Sequence, residues 1–129
     1  MADLDNMAVI FVHRPFKYMG SAWGHFIEVN DKFTTNVTSG TTMKLYVTPG
    51  RYTIKDTFGV GSWEKVKEKS MGTQITSLVI KDNEQYIITI DEAAGVMGQA
   101  EKDVKKISKL NGKEKFAFVI NNDNVMSLR

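Results

Sequence analysis

The stretch TTMKLYVTPGRYTIKDTF (Thr41–Phe58) decides the fold that this sequence predicts. Apolar and polar residues alternate on both sides of Pro49-Gly50, which is the period of strands with one buried face. Proline presets φ for the first corner of a turn, and glycine accepts the positive φ that a type II turn requires next. The stretch therefore predicts a β-hairpin around which a sheet can assemble.

Three further strands are predicted before this hairpin. Met7–His13 is apolar on both faces, which favours a central position in a sheet or a strand that is covered on both sides. Trp23–Val29 alternates between polar and apolar residues, and Asn30-Asp31 then predicts a tight turn into a third strand. The residues of that third strand that share one face are Phe33, Thr35 and Val37.

A loop and a second hairpin are predicted after Phe58. Glycines flank the charged segment between Gly59 and Gly72, which predicts a loop with a helical turn capped by Ser62. Thr73–Ile80 and Gln85–Asp91 then alternate like strands on either side of a polar turn. Seven strands with no helix between them favour an antiparallel β-sandwich of the immunoglobulin or prealbumin type over an α/β fold.

The hydrophobic period changes after Glu92. At about 100° per residue the apolar positions between Val96 and Leu110 form one stripe and the lysines lie opposite, which predicts an amphipathic helix over 98–110. Residues 115–120 predict a short strand, and the Asn-rich end is expected to fray. The fold prediction is therefore mainly β, a single domain over 1–129 with a sandwich over 7–91, a docked C-terminal helix and a short following strand.

Composition limits the class of protein. With 129 residues, 42% hydrophobic and 25% charged, the chain has the size and composition of one soluble globular domain. The absence of cysteine excludes disulfides, thiol catalysis and thiolate metal sites. The acidic N-terminus is not an export signal. We expect a cytoplasmic protein, or a periplasmic or envelope-associated one if a leader has been removed.

The sequence resembles a bacterial domain family of unknown function that occurs mostly in small lipoproteins and envelope proteins. The segments that carry the resemblance are VIFVHRP (Val9–Pro15), Gly20-Ser21, FIEVNDKF (Phe26–Phe33), LYVTPGRYTI (Leu45–Ile54) and VIKDNEQYIITI (Val79–Ile90). The resemblance implies a β-sandwich of the prealbumin or carboxypeptidase-regulatory kind, and it implies no catalytic residues. Unlike the family, this chain has no lipidated cysteine and has a lysine-rich C-terminal region.

The two histidines are the candidate metal ligands. A metal site would need His13 and His25 together with a carboxylate such as Glu28 or Asp56. Both histidines alternate in phase with apolar strand residues, however, and no ligand pair has metal-type spacing. We therefore interpret them as partly buried sheet residues and expect no metal and no cofactor.

Four residues are candidates for partner binding. Arg14 could present its guanidinium to an anion or a carboxylate, or it could close the end of the sandwich by binding loop carbonyls. Trp63 lies among charged residues between glycines and could contact a partner or a sugar ring. Lys105 and Lys109 on the predicted helix could meet phosphates or anionic lipid, although a solvated face is the simpler interpretation.

No motif in the sequence indicates catalysis, whether a nucleophile elbow, a phosphate-binding glycine loop or an HExxH pair. The leading hypothesis is a noncatalytic interaction or structural module of a bacterial or phage envelope-associated or secreted assembly, with a protein partner. The alternatives are a binder of small ligands or anionic surfaces, including a membrane surface, that uses the C-terminal lysines, and an orphan hydrolase or metal enzyme. Nucleic acid is not expected as a partner.

Overall fold

A computed structural model describes residues 7–15, 23–91, 96–97, 113–121 and 124–128. In these residues the protein is mainly β, with ten strands and one helical turn. The strands are β1 (Ala8–Arg14), β2 (Gly24–Val29), β3 (Lys32–Val37), β4 (Thr41–Val47), β5 (Gly50–Gly59), β6 (Gly72–Ile80), β7 (Gln85–Asp91), β8 (Val96–Met97), β9 (Lys113–Asn121) and β10 (Asn124–Leu128). The helical turn α1 (Trp63–Val66) lies between β5 and β6. No helix among the described residues has the length and hydropathy to cross a membrane.

The strands form two sheets, with the orders β10-β9-β4-β1-β7-β8 and β3-β2-β5-β6. β1 lies inside the six-stranded sheet, and both of its faces are buried, as the exposures of Val9 (5%) and Ile10 (0%) show. The predictions of a central position and of a strand covered on both sides are both confirmed. β1 pairs with β7 in parallel, and so does β4 with β9, so the prediction of a wholly antiparallel arrangement is wrong.

The predicted hairpin at Pro49-Gly50 is also wrong, because β4 and β5 belong to different sheets. β4 pairs with β1 and β9, whereas β5 pairs with β2 and β6. The φ of Gly50 is 157°, far from the value of about +80° that a type II turn needs. The chain crosses between the sheets here, and the buried Tyr52 hydroxyl donates to the Thr48 carbonyl at 2.6 Å across the connection.

The second predicted hairpin fails in the same way, since β6 and β7 also lie in different sheets. The β2–β3 hairpin is confirmed, and its turn residues Asn30 and Asp31 have φ of 50° and 66°, the signs that a type I′ turn requires. β5 and β6 form a long hairpin through nine residue pairs. Its connection contains the predicted helical turn. Ser62 occupies the N-cap position, but its side chain makes no capping hydrogen bond.

Both sheets contribute to one apolar core. The six-stranded sheet supplies side chains from β1, β4, β7 and β9, and the four-stranded sheet supplies side chains from all four of its strands. The largest of its fully buried side chains are Ile10, Ile27, Met43, Leu45, Ile54, Ile80, Ile88 and Ile90. The core therefore lies between the two sheets, as the layer rule for amphipathic sheets requires.

The C-terminal predictions have mixed outcomes. The short strand predicted over 115–120 is confirmed as part of β9, which lies beside β4. The end of the chain was expected to fray, which is wrong for Asn124–Leu128, because this segment pairs with β9 as β10. The helix predicted over 98–110 lies outside the described residues.

Candidate functional site

Three aromatic rings pack together on the face of the four-stranded sheet that points away from the core. Phe26 comes from β2, Phe33 from β3 and Trp63 from α1. The ring centroids of Phe33 and Trp63 are 5.0 Å apart with planes inclined by 14°, and those of Phe26 and Trp63 are 5.5 Å apart. Phe26 and Phe33 also contact each other, at 6.3 Å. We call these three residues the aromatic cluster.

A β-bulge brings Phe33 to this outer face. Between Ile27 and Glu28 the register of β2 with β3 shifts by one residue, so Ile27 pairs with Thr35 but Glu28 pairs with Phe33. Thr34 is the extra residue, and its hydroxyl donates to the Ile27 carbonyl at 2.7 Å. Because side chains alternate along a strand, one inserted residue moves every side chain before it to the opposite face. The expectation that Phe33 shares one face with Thr35 and Val37 is therefore wrong.

Two local features hold the other members of the cluster. An added Cβ at Gly24 would lie 2.5 Å from Cε2 of Phe26, so the ring lies directly over the glycine backbone. α1 is fixed by Val66, which is 1% exposed and would lie 3.2 Å from a Cβ at Gly59. Trp63 at the start of α1 is therefore held beside the end of β2.

The three side chains of the aromatic cluster differ in solvent exposure. Phe26 is 4% exposed, Trp63 is half-buried and Phe33 is 43% exposed. Among the described residues, five of the six large hydrophobic side chains that are exposed belong to the four-stranded sheet or to its β5–β6 connection. Those five are Phe33, Val60, Met71, Ile75 and Val79, and the sixth is Met126 on β10. The exposed apolar surface is thus concentrated on one side of the protein.

A buried hydrogen bond between a histidine and a carboxylate lies on the core-facing side of the same sheet. His25 Nδ1 donates to Asp56, with distances of 2.8 Å to Oδ2 and 3.0 Å to Oδ1. The backbone N–H of His25 donates to Oδ1 of Asn36, which holds β2 against β3 at this point. The ring of Phe58 stacks on His25 at 5.6 Å and on Trp23 at 6.3 Å.

This pair has the contact by which a carboxylate orients the histidine base of a hydrolase. Its burial argues against that use, because His25 is 4% exposed and Asp56 is 1% exposed. A general base has to come within hydrogen-bond reach of a substrate proton. The arrangement therefore supports a structural hydrogen bond between β2 and β5 rather than a catalytic base.

The two histidines are not brought together. His13 follows the core-facing Val12 on β1, so its side chain lies on the outer face of the six-stranded sheet, where Nδ1 is 2.9 Å from the Thr42 hydroxyl. Burial lowers the pKa of His13. Glu28 of β2 lies on the outer face and does not join His25. In the described ranges no three histidine and carboxylate groups are arranged to hold a metal ion.

The four candidate partner-binding residues have different surroundings. Arg14 is 0% exposed, and its Nη1 donates to the Val37 carbonyl at 2.8 Å, which favours the role of closing the end of the core. Trp63 belongs to the aromatic cluster. Lys105 and Lys109 lie outside the described residues. The sequence analysis does not predict Phe33 as a surface residue. The only feature of the sequence that is compatible with its position is the polar pair Thr34-Thr35, where a β-bulge can form.

Comparison of the chain with protein-family models, curated proteins and solved structures found no match.

Proposed function

We propose that the protein is a noncatalytic interaction module of the β-sandwich class, which binds a protein partner through the outer face of its four-stranded sheet. The observation that carries the proposal is the exposed Phe33 ring, which is stacked on Trp63. The setting that the sequence resemblance suggests is a bacterial or phage envelope-associated or secreted assembly.

The aromatic cluster has the properties of a protein-binding hot spot. Such spots are enriched in tryptophan and other large side chains that are rigidly supported by neighbours. Phe33 is supported by Trp63 and by the buried Phe26, so its exposed surface is held in place before a partner arrives. Preorganisation of this kind reduces the entropy lost on binding.

The surface around the cluster also suits a protein partner. Val60 is 61% exposed and Met71 is 53% exposed, and both belong to the β5–β6 connection that contains Trp63. On the neighbouring strands Glu28 of β2 lies opposite Lys55 of β5, which places one charge of each sign beside the apolar surface. Apolar contacts bordered by polar groups are the usual anatomy of a protein interface.

A carbohydrate is the second ligand class to consider, because aromatic rings stack on sugars. The ring of Trp63 already stacks on two phenylalanine rings, and Phe33 is the one member of the aromatic cluster that is classed as exposed. A single exposed ring of this kind fits an apolar pocket of a protein better than a row of sugar rings. The orphan hydrolase alternative is disfavoured by the burial of His25 and Asp56.

Affinity capture with matched variants tests the proposal. Phe33→Ala removes the exposed ring, and Met126→Ala removes an exposed side chain of similar size from the other sheet. Proteins captured from the source cells by the unaltered protein should bind Phe33→Ala at least about tenfold more weakly and Met126→Ala equally well. Equal binding by both variants, with each shown to be folded, would contradict the proposed surface.

A further inference from the structure

β6 is an edge of the four-stranded sheet and has the features of a strand that pairs with another strand. In the part of the chain that the structure describes, β6 pairs with β5 alone. β8 of the other sheet approaches β6 without pairing with it. The backbone N–H and C=O groups of β6 that point away from β5 therefore have no described strand beside them to pair with.

This edge lacks the devices that proteins use to prevent edge pairing. Such devices are prolines, charged side chains and β-bulges. Met71–Ile80, with the sequence MGTQITSLVI, contains neither a proline nor a charged residue. The register with β5 runs without a shift from the pair Gly50–Ile80 to the pair Phe58–Gly72. A long, regular and uncharged edge is the form that favours addition of another strand.

The direction of the backbone groups of β6 follows from β5. Thr53 donates its N–H to Asn30 Oδ1 and accepts from the N–H of Asn30, so both of its backbone groups point towards β2 and away from β6. Its register partner on β6 is Ser77. In an antiparallel ladder the partner in such a non-hydrogen-bonded pair points its own N–H and C=O outward. Ser77, and with it Ile75 and Val79, therefore directs its backbone groups away from β5, to the side where no described strand pairs with β6.

We propose that two copies of the chain pair through antiparallel β6 strands about a two-fold axis at Ser77. In that register Ile75 of each copy lies opposite Val79 of the other, and Ser77 exchanges two hydrogen bonds with its counterpart. Ile75 is 62% exposed and Val79 is 56% exposed in the single chain, and both belong to the outer face. The register places these two apolar side chains side by side, and Lys81 falls opposite Thr73 rather than another cation.

The pairing would join two four-stranded sheets into one continuous eight-stranded sheet. A two-fold axis uses the same patch on both copies, which is the commonest symmetry of protein dimers. The aromatic cluster lies on β2, β3 and α1, so a dimer would carry two copies of the proposed partner-binding surface. The dimer and the partner site are separate inferences, because the dimer depends on β6 and the partner site depends on Phe33.

Sedimentation velocity over a wide range of protein concentration tests the dimer. The unaltered protein should change from monomer to dimer as concentration rises. Ser77→Lys puts like charges opposite each other at the axis and should raise the dimer dissociation constant by roughly tenfold or more. Ser77→Pro removes an N–H that points to the free edge, so it should prevent pairing while the ladder with β5 is kept.

A mixing experiment locates the axis. Ser77→Lys and Ser77→Asp should each dimerise roughly tenfold or more weakly than the unaltered protein, and an equimolar mixture should dimerise more tightly than either variant alone, because opposite charges then meet at Ser77. Phe33→Ala should leave the dimer unchanged. The proposal is overturned if the unaltered protein stays monomeric at all concentrations. It is also overturned if Ser77→Lys and Ser77→Asp each dimerise alone as tightly as the unaltered protein, or if their mixture dimerises no more tightly than either variant alone.

Discussion

His25 donates from Nδ1 to Asp56 at 2.8 Å, and this contact joins β2 to β5 on the core-facing side of the four-stranded sheet. Both side chains are almost inaccessible to solvent. Removing one member of a buried pair leaves the other polar group without its partner in a medium of low dielectric constant. The pair is therefore expected to act as one structural unit.

The first prediction concerns this pair. Asp56→Ala should lower the free energy of unfolding by about 2–4 kcal/mol, because the buried imidazole loses its acceptor. His25→Ala combined with Asp56→Ala should cost clearly less than the sum of the single changes. Urea denaturation measures all three values, with Asp82→Ala in an exposed turn as the control. Additive costs would show that the two side chains do not stabilise the fold together.

The second prediction concerns the glycine beneath the aromatic cluster. Gly24→Ala should destabilise the protein by about 1–3 kcal/mol, because the new Cβ would overlap the ring of Phe26. In a Phe26→Ala background the same change should cost clearly less, since the ring is absent and the remaining close contact is that with Asn36 Oδ1 at 3.1 Å. Thermal unfolding of the four proteins checks this. The same cost in both backgrounds would mean that Gly24 is needed for another reason.

Local pattern predicted most of the strands, but of the three predicted hairpins only β2–β3 forms. Alternation at Thr41–Phe58 is the same whether two strands lie side by side or face each other across a core. Met43 and Leu45 of β4 face Ile54 of β5 from the opposite sheet, so the period was correct and the hairpin was not. The sheet assignment of β4 and β5 depends on distant partners, β1 and β2, which the turn residues do not specify.

The candidate site was predictable only in part. Trp63 is predictable as a candidate, because it lies in a charged segment that glycines flank. Phe33 could not be assigned to the surface, because a strict period of two placed it with Val37 on the core-facing side. One inserted residue, Thr34, reverses that assignment, and a bulge has no unique sequence signature.

The third prediction concerns pH. Burial lowers the pKa of His13 below its ordinary value of 6.5, so the folded state favours the neutral imidazole. His13 therefore contributes stability above about pH 6.5, and this contribution is lost as the pH falls through the lowered pKa. Its register partners Thr42 and Thr89 do not titrate.

The free energy of unfolding of the unaltered protein should thus fall more steeply between neutral and mildly acidic pH than that of His13→Gln. Because His25 is present in both proteins, the difference between the two curves isolates His13. Urea denaturation at a series of pH values gives both curves. Parallel curves would show that protonation of His13 is not linked to folding.

The fourth prediction concerns residues 98–110. β8 lies at one edge of the six-stranded sheet, and β7, β1 and β4 lie between it and β9. Because the β8–β7 and β1–β4 pairs are antiparallel and the β7–β1 and β4–β9 pairs are parallel, β8 and β9 run in the same direction. Parallel strands need a crossover of about a dozen or more residues, usually with a helix. The outer face of this sheet is buried at Val9, Ile87 and Val119. The helix predicted over 98–110 lies outside the described residues, and its docking on the sandwich stays a prediction from the sequence pattern.

Val104→Asp should then lower the free energy of unfolding by about 2–4 kcal/mol, because it places a charge in an apolar contact. Lys105→Glu combined with Lys109→Glu should change it by less than about 0.5 kcal/mol. If that lysine reversal abolishes binding to anionic vesicles at low salt, the anionic-surface alternative is supported. If Val104→Asp leaves stability and amide protection over 98–110 unchanged, the docked helix is wrong.

The most direct test of the proposed function is site-specific photocrosslinking in the source cells. A photoreactive phenylalanine analogue at position 33 replaces an aromatic ring by another aromatic ring, and the same analogue at position 126 serves as the control on the other sheet. We predict a discrete covalent adduct with a protein partner from position 33, and none from position 126. No adduct at position 33, or the same adducts from both positions, would contradict a partner-binding surface centred on Phe33 and Trp63.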